Sequence, residues 1–159
     1  EIDRQPLAIN PLVRDVHRLL SADAALRRVV IVTELAPGLP LIEGDRIHLQ
    51  QVLLNLILNA MEAIDKAPNE NRRVVVQTGR SENGAVAISV TDSGPGIEPG
   101  NLSRLFEPFF TTKQNGMGMG LAICQQIVVA HTGRLQAENH PAGGAVFRVT
   151  LPAAANGKK

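Results

Sequence analysis

The stretch from residue 52 to residue 61 constrains the fold more than any other, because all of its residues are apolar except two asparagines. Asp45 upstream is a good N-cap, so we predict a long helix from there to about residue 66, ended by Pro68 and Asn69. A helix that is apolar over most of its surface has to be covered by other elements. We therefore expect this helix to be largely buried.

Hydrophobic spacing predicts the elements around this helix. They are a helix over residues 6–26, a strand over 29–34, a hairpin of strands at 73–80 and 85–91, a helix over 118–131 and a hairpin of strands at 134–139 and 144–151. The irregular stretch over residues 92–117 holds one short helix near residues 102–106, and a loop of that length is expected to be functional, for example as a lid over a ligand. We predict one α+β domain over residues 1–152, a two-layer α/β sandwich in which helices cover one face of a mixed sheet of about five strands. Residues 153–159 are predicted to be a disordered tail.

Composition argues against several classes of function. Sixteen basic and fifteen acidic residues give a net charge of +1, and Trp and Tyr are absent, so neither bulk charge nor base stacking suits a nucleic-acid binder. No apolar stretch reaches the roughly 20 residues of a membrane helix. The single cysteine, Cys124, suits a reducing cytoplasm and is predicted to be a small core residue. The chain starts at Glu1 without Met or a secretory signal, so we expect it to be part of a longer protein.

Asn55 and Asn59 are the first candidate functional residues. They are spaced i and i+4, so both leave the helix from one face. Either the amides bond to the backbone and neighbouring strands, or their carbonyl oxygens ligate a hard cation such as Mg²⁺, which prefers oxygen ligands and usually shares them with phosphate. The helix by itself favours the first alternative.

Two glycine-rich segments are further candidates. Residues 92–97, Asp-Ser-Gly-Pro-Gly-Ile, form either a plain turn capped by Asp92 or a site in which Asp92 accepts from an exocyclic amine while the glycines let backbone approach a flat ring. Residues 116–121, Gly-Met-Gly-Met-Gly-Leu, lead into a helix whose N-terminal N–H groups can hold phosphate. They are neither a P-loop nor a dinucleotide fingerprint, because the Gly-Lys-Ser/Thr and the preceding strand are missing. Lys113 is either a solvated surface lysine or a mobile cation for a triphosphate.

In their order and spacing, these segments resemble the sequence boxes of sensor histidine kinases. Residues 55–60 look like the N box, 92–97 the G1 box, 105–113 the F box and 116–121 the G2 box, while 143–147 are similar to the final glycine-rich turn and strand. The resemblance covers about residues 10–152, and the Phe-Phe-Thr-Thr-Lys at 109–113 is similar to that of nitrogen-regulatory and oxygen-sensing kinases. It implies the Bergerat-type ATP-binding sandwich that these kinases share with Hsp90, DNA gyrase and MutL.

The resemblance also implies ATP and Mg²⁺ as cofactors and a role for each matching residue. Asn59 would ligate Mg²⁺ with help from Asn55, Asp92 would accept from the adenine amino group, and Phe106, Phe109 and Phe110 would anchor the lid. Asn55, Asn59 and Lys113 are the expected catalytic residues. The nucleotide would be bound by Asn59, Asp92, Gly94, Gly96, Ile97, Thr112, Lys113, Gly116, Gly118, Gly120 and Leu121.

Asn55 distinguishes a kinase from a hydrolase. In the Hsp90, gyrase and MutL relatives, a Glu that activates water stands one turn before the metal-binding Asn, whereas an amide is a poor base. We therefore expect transfer of the γ-phosphoryl group to a histidine, and from there to the receiver domain of a response regulator. Two departures weaken the match: Glu62 replaces a frequent Lys, and Ala145 and Val146 replace a Ser or Thr. An ATP-hydrolysing conformational switch, an anti-sigma-type serine/threonine kinase and a non-catalytic nucleotide-sensing module stay open as alternatives.

The phosphoaccepting histidine of the family lies beside an acidic residue and is followed by Arg/Lys-x-Pro. None of the four histidines has this setting: His17, His48, His131 and His140. The resemblance thus implies a histidine on a separate dimerisation domain, in cis in a full-length cytoplasmic or membrane-anchored protein. The chain itself is expected to be a monomer that binds neither nucleic acid nor membrane and does not phosphorylate itself.

Overall fold

The computed structural model describes residues 2–66, 71–107 and 120–155. Its main sheet has five strands in the spatial order β2, β4, β5, β7, β6. In that order the strands are Val30–Glu34, Arg73–Arg80, Val86–Asp92, Ala145–Leu151 and Arg134–Asn139. β2 pairs in parallel with β4, and the other neighbours are antiparallel, so the sheet is mixed, as predicted.

In the part of the chain that the structure describes, three helices cover the sheet: α1 (Ile9–Leu26), α2 (Arg46–Asp65) and α3 (Gly120–Ala130). α2 lies on β4 and β5 at the centre, while α1 contacts β2 and α3 contacts β6 at the two edges. Residues along β5 alternate between buried and half-buried, because one face of the strand meets the helices. The predicted α+β sandwich is confirmed.

The long helix begins where the sequence predicts. The Asp45 carboxylate caps it, accepting hydrogen bonds from Ile47 N (3.1 Å) and His48 N (3.2 Å). Its apolar residues form the middle of the core: Leu49, Val52, Leu53, Leu56, Ile57, Ala60, Met61 and Ile64, each at most 3% exposed. Burying one such large side chain is worth about 1.5–3 kcal/mol, so the packing of α2 contributes substantially to the stability of the domain.

The N-terminal prediction is wrong in one respect. Residues assigned to the start of the first helix form a strand, β1 (Gln5–Leu7), which pairs antiparallel with β3 (Ile42–Gly44), a strand the sequence analysis missed. Leu7 fits helical spacing, but its partner Ile42 lies far along the chain, and local periodicity carries no information about such a pairing.

Other boundaries differ by a few residues. The short helix is a 3₁₀ helix over Pro99–Arg104. It begins earlier than predicted because proline is favoured at the first position of a helix. Ala153, the first residue of the predicted disordered tail, pairs with Ile42, and Ala154 N donates to Leu41 O (2.8 Å). Residues 153–155 of that segment are therefore part of the described fold, and residues 156–159 lie outside it.

None of the helices in the described ranges combines the length and the apolar composition that crossing a membrane requires.

Candidate active site

Asp92, the last residue of β5, is a buried carboxylate, with 4% of its surface exposed. Its Oδ1 accepts hydrogen bonds from Gly94 N (2.8 Å) and Ala145 N (3.3 Å). Burial raises the pKa of Asp92 above its usual range, and these two bonds only partly oppose the rise. Among the described residues none donates to Oδ2, so this oxygen is available as an acceptor for a ligand.

Gly94 and Gly96 hold the loop after β5 against the rest of the domain. A Cβ on Gly94 would lie 2.8 Å from the carbonyl oxygen of Ala63 in the last turns of α2. Gly96 has φ +87°, and a Cβ there would lie 2.9 Å from Asn139 Oδ1. These close contacts within the protein explain why a residue without a side chain stands at both positions. That the glycines let the backbone approach a flat ring stays a prediction.

The turn between β6 and β7 clamps the same loop, a feature that the sequence analysis missed. Gly144 has φ +85°, and a Cβ there would lie 2.0 Å from the carbonyl oxygen of Asp92. The Asn139 side chain bonds to both backbone groups of Ile97. The resemblance pointed to the Gly143–Gly144 turn, but nothing in the sequence signals a side-chain contact between residues 42 positions apart.

Asn55 and Asn59 are half-buried on α2, less enclosed than the sequence analysis expected. The Asn55 side chain lies beside the Cys124 thiol on α3 and lowers the pKa of that thiol. Cys124 is fully buried, as predicted. Its burial raises the pKa of the thiol to about 11, although the Asn55 side chain opposes part of this rise. The Asn55 amide carries an oxygen that can act as an acceptor.

α3 runs antiparallel to α2, which brings a second candidate segment to Asn59. Cys124 Sγ lies 3.8 Å from Val52 O, and His131, just after α3, accepts a hydrogen bond from Asp45 N (3.0 Å) at the start of α2. Cys124 lies level with Asn55. Because the two helices are antiparallel, Gly120, one turn before Cys124 on α3, lies level with Asn59, one turn after Asn55 on α2. Leu121, next to it, packs against the core. The first turn of α3, Asn59 and the Gly94 loop thus share one end of α2.

The residues present fit ATP and Mg²⁺. Asp92 offers an acceptor to an amino group, and Gly120 leaves open space at the start of α3. Within the described ranges no group of three or more His, Cys, Asp or Glu residues could hold a metal. Asn55 and Asn59 supply amide oxygens, which are among the oxygen ligands that Mg²⁺ accepts.

Residues 44–155 match the family of histidine kinase-, DNA gyrase B- and HSP90-like ATPases. The chain belongs to this family.

Its relatives within the family are sensor kinases. The chain is 39% identical to the sensor protein FixL of Bradyrhizobium diazoefficiens over 97% of its own length and 30% of FixL. It is 31% identical to the catalytic domain of the histidine kinase ThkA, with a TM-score of 0.83 over 96% of this chain and 99% of that one. A structure of ThkA in complex with the response regulator protein TrrA matches at 30% identity and a TM-score of 0.80, over 95% of this chain and 42% of that one. The fold and sequence are those of the catalytic domain of histidine kinases, and the chain spans less than a third of the curated relatives it matches.

Several predicted residues of this histidine kinase domain lie outside the described ranges: Phe109, Phe110, Thr112, Lys113, Gly116 and Gly118. Phe106, the first phenylalanine of the F box, is described. Its ring meets that of the buried Phe147 edge-on, with centroids 6.4 Å apart and planes at 84°. The segment that leads into the F box is therefore fixed to the core.

His131 is a structural residue of this kinase domain. Its Nδ1 lies 2.8 Å from the Ile127 carbonyl and its Nε2 accepts from Asp45 N, so the ring is neutral, with its proton on Nδ1. Because both ring nitrogens are engaged and the residue is 3% exposed, His131 is not available as a phosphoacceptor.

Proposed function

We propose that this chain binds Mg-ATP and transfers the γ-phosphoryl group to a histidine of a separate dimerisation domain, for relay to the receiver domain of a response regulator. The observation that carries the proposal is the pair Asn55 and Cys124. The position one turn before Asn59 holds an amide, and beside it lies a buried thiol whose pKa of about 11 keeps it protonated at neutral pH. Neither group can accept a proton from water, so hydrolysis is disfavoured and the phosphoryl group is kept for the histidine.

The adenine amino group would donate to Oδ2 of Asp92, whose Oδ1 is already held by Gly94 N and Ala145 N. Ile97 would line the pocket from the loop that Gly94 and Gly96 shape. The triphosphate would extend toward Asn59 and Gly120 at the shared end of α2 and α3, with Leu121 fixing the first turn of α3. Thr112, Lys113, Gly116 and Gly118 would complete the phosphate site.

Asn59 would ligate Mg²⁺ through its amide oxygen, with Asn55 assisting. When bound, the ion would neutralise charge on the phosphate oxygens. Since the rest of this chemistry is positioning, the residues that fix the nucleotide relative to the incoming histidine determine the rate.

Partners and subtype are part of the proposal. The structure of ThkA with a response regulator supports a receiver domain as the partner. Phe-Phe-Thr-Thr-Lys at residues 109–113 and the similarity to FixL favour the nitrogen-regulatory and oxygen-sensing type. The chain by itself would be a monomer, because the family dimerises through the separate domain that carries the histidine.

The test mixes the chain with γ-labelled ATP, Mg²⁺ and the cognate dimerisation domain. We expect acid-labile label on the dimerisation domain and none on this chain when it is incubated alone. Acid-stable label on Ser or Thr would support the anti-sigma type of kinase, and phosphate released without a protein acceptor would support the ATPase; either result overturns the proposal.

Asn59→Asp tests the proposed metal site. A carboxylate in place of the amide puts a negative charge beside the phosphates, and we expect the transfer rate to fall by about 100-fold, with a changed dependence on Mg²⁺ concentration. Gln51→Glu makes the same change at an exposed position two turns away on α2 and should transfer at the wild-type rate. Unchanged transfer by Asn59→Asp would remove Asn59 from the metal role.

A further inference from the structure

The Asn139 side chain joins the loop after β5 to the edge strand of the sheet. Its Oδ1 accepts from Ile97 N at 2.7 Å, and its Nδ2 donates to Ile97 O at 2.8 Å. Two residues in neighbouring antiparallel strands can exchange two such bonds through their backbone N–H and C=O groups. Here the Asn139 side-chain amide takes the place of one backbone peptide group. A loop without a strand of its own is thereby held in register with β6.

The contacts around this pair show how closely the loop is held. Gly96 approaches Asn139 Oδ1 so nearly that an added Cβ would lie 2.9 Å from it. Asn139 is paired across the hairpin with Ala145, whose N–H donates to Asp92 Oδ1. The last residue of β6 and the first of β7 therefore hold opposite ends of the loop over residues 92–97.

We propose that Asn139 is a positioning residue for adenine recognition: it holds the Ile97 end of the loop so that Asp92 and the loop backbone keep the geometry that accepts the adenine amino group. This inference rests on the proposed function, in which Asp92 receives that group. Asn139 itself need not touch the nucleotide, and none of the sequence boxes contains it.

The chemistry of the contact indicates which substitutions break it. The site needs one donor and one acceptor on a short planar side chain, and asparagine supplies both. In Asn139→Asp a carboxylate oxygen faces Ile97 O, so one bond is lost and a repulsion replaces it. Asn139 is exposed, which limits the effect on folding, because water can satisfy the freed groups.

The experiment compares the affinities of the wild type, Asn139→Asp and Asn139→Ala for ATP and GTP by calorimetry, with thermal unfolding of each chain measured alongside. GTP has a carbonyl where adenine has its amino group, so it cannot donate to Asp92 from that position. We expect both variants to bind ATP about fivefold or more weakly, with a much smaller change for GTP, so that the preference for ATP falls. Gln136→Glu, the same amide-to-carboxylate change at an exposed position on β6, should keep the wild-type preference.

Two results would overturn the inference: ATP affinity unchanged in the variants, or an equal loss for ATP and GTP, which a general disturbance of the fold would produce. A wild type that binds no ATP would instead refute the proposed function. Should Asn139→Asp fail to fold, Asn139→Ser, whose hydroxyl cannot make both bonds, is measured in its place and has to show the same fall in preference.

Discussion

Asp92→Asn is expected to weaken ATP binding strongly. The nucleotide-free domain should be at least as stable as the wild type. In the variant Oδ1 still accepts from Gly94 N and Ala145 N, so the new NH₂ group takes the place of Oδ2. That NH₂ would face the adenine amino group, donor against donor. Losing a hydrogen bond to a charged acceptor costs about 1.5–3 kcal/mol, so we expect ATP affinity to fall by about 100-fold.

The stability half of this prediction follows from the raised pKa of Asp92. Because burial disfavours the carboxylate, the ionised group destabilises the folded state, and wild-type stability rises as pH falls through the raised folded-state pKa and levels off below the ordinary value of 3.8. ATP affinity should change in the opposite direction and fall over the same pH window, since the protonated group is a poorer acceptor. Asp92→Asn should flatten this part of the stability profile.

Thermal unfolding and calorimetric titration across that window check both halves. Asp23→Asn is the matched control: Asp23 is a half-buried acid on α1 paired with Arg27 at 3.4 Å, and its loss should leave ATP affinity unchanged. A variant of Asp92 that loses stability while it still binds ATP would contradict the assignment of Asp92 to the adenine site.

Gly144→Ala is expected to have the largest effect on folding. The residue has φ +85°, which costs an alanine about 1–2 kcal/mol, and its Cβ would lie 2.0 Å from the Asp92 carbonyl oxygen. Relief of that overlap requires β5 and β7 to separate at the site, and overpacking of this kind costs a further 1–3 kcal/mol or so. We expect a loss of roughly 2–5 kcal/mol in the free energy of unfolding, with weaker ATP binding in whatever folds.

Gly143→Ala separates the two causes. Gly143 also has a positive φ of +106°, but a Cβ there would meet nothing within 4 Å, so the variant carries the backbone cost without the overlap. Chemical denaturation should show a loss of about 1–2 kcal/mol for this control. Equal losses for both variants would mean that the contact with Asp92 contributes nothing.

The elements that the sequence predicted well are those whose signal is local. α2 was predictable because Asp45 can cap it and because its apolar residues recur on most sides, and both hairpins were predictable from alternating strands around glycine turns. β1 and β3 were not, since three residues carry too little pattern and their pairing joins Leu7 to Ile42. The start of the first helix was displaced for the same reason.

In the candidate site, too, local sequence features were predictable and contacts between distant residues were not. The apolar stretch with Asn55 and Asn59 and the glycine-rich segments determined the family of the chain, because the type and order of these residues are properties of the sequence. The tertiary structure decided what their neighbours are: the thiol behind Asn55, the hairpin that clamps Asp92 and the side chain of Asn139 on Ile97. These are contacts between residues far apart in the chain, and only the packing of the helices and strands brings them together.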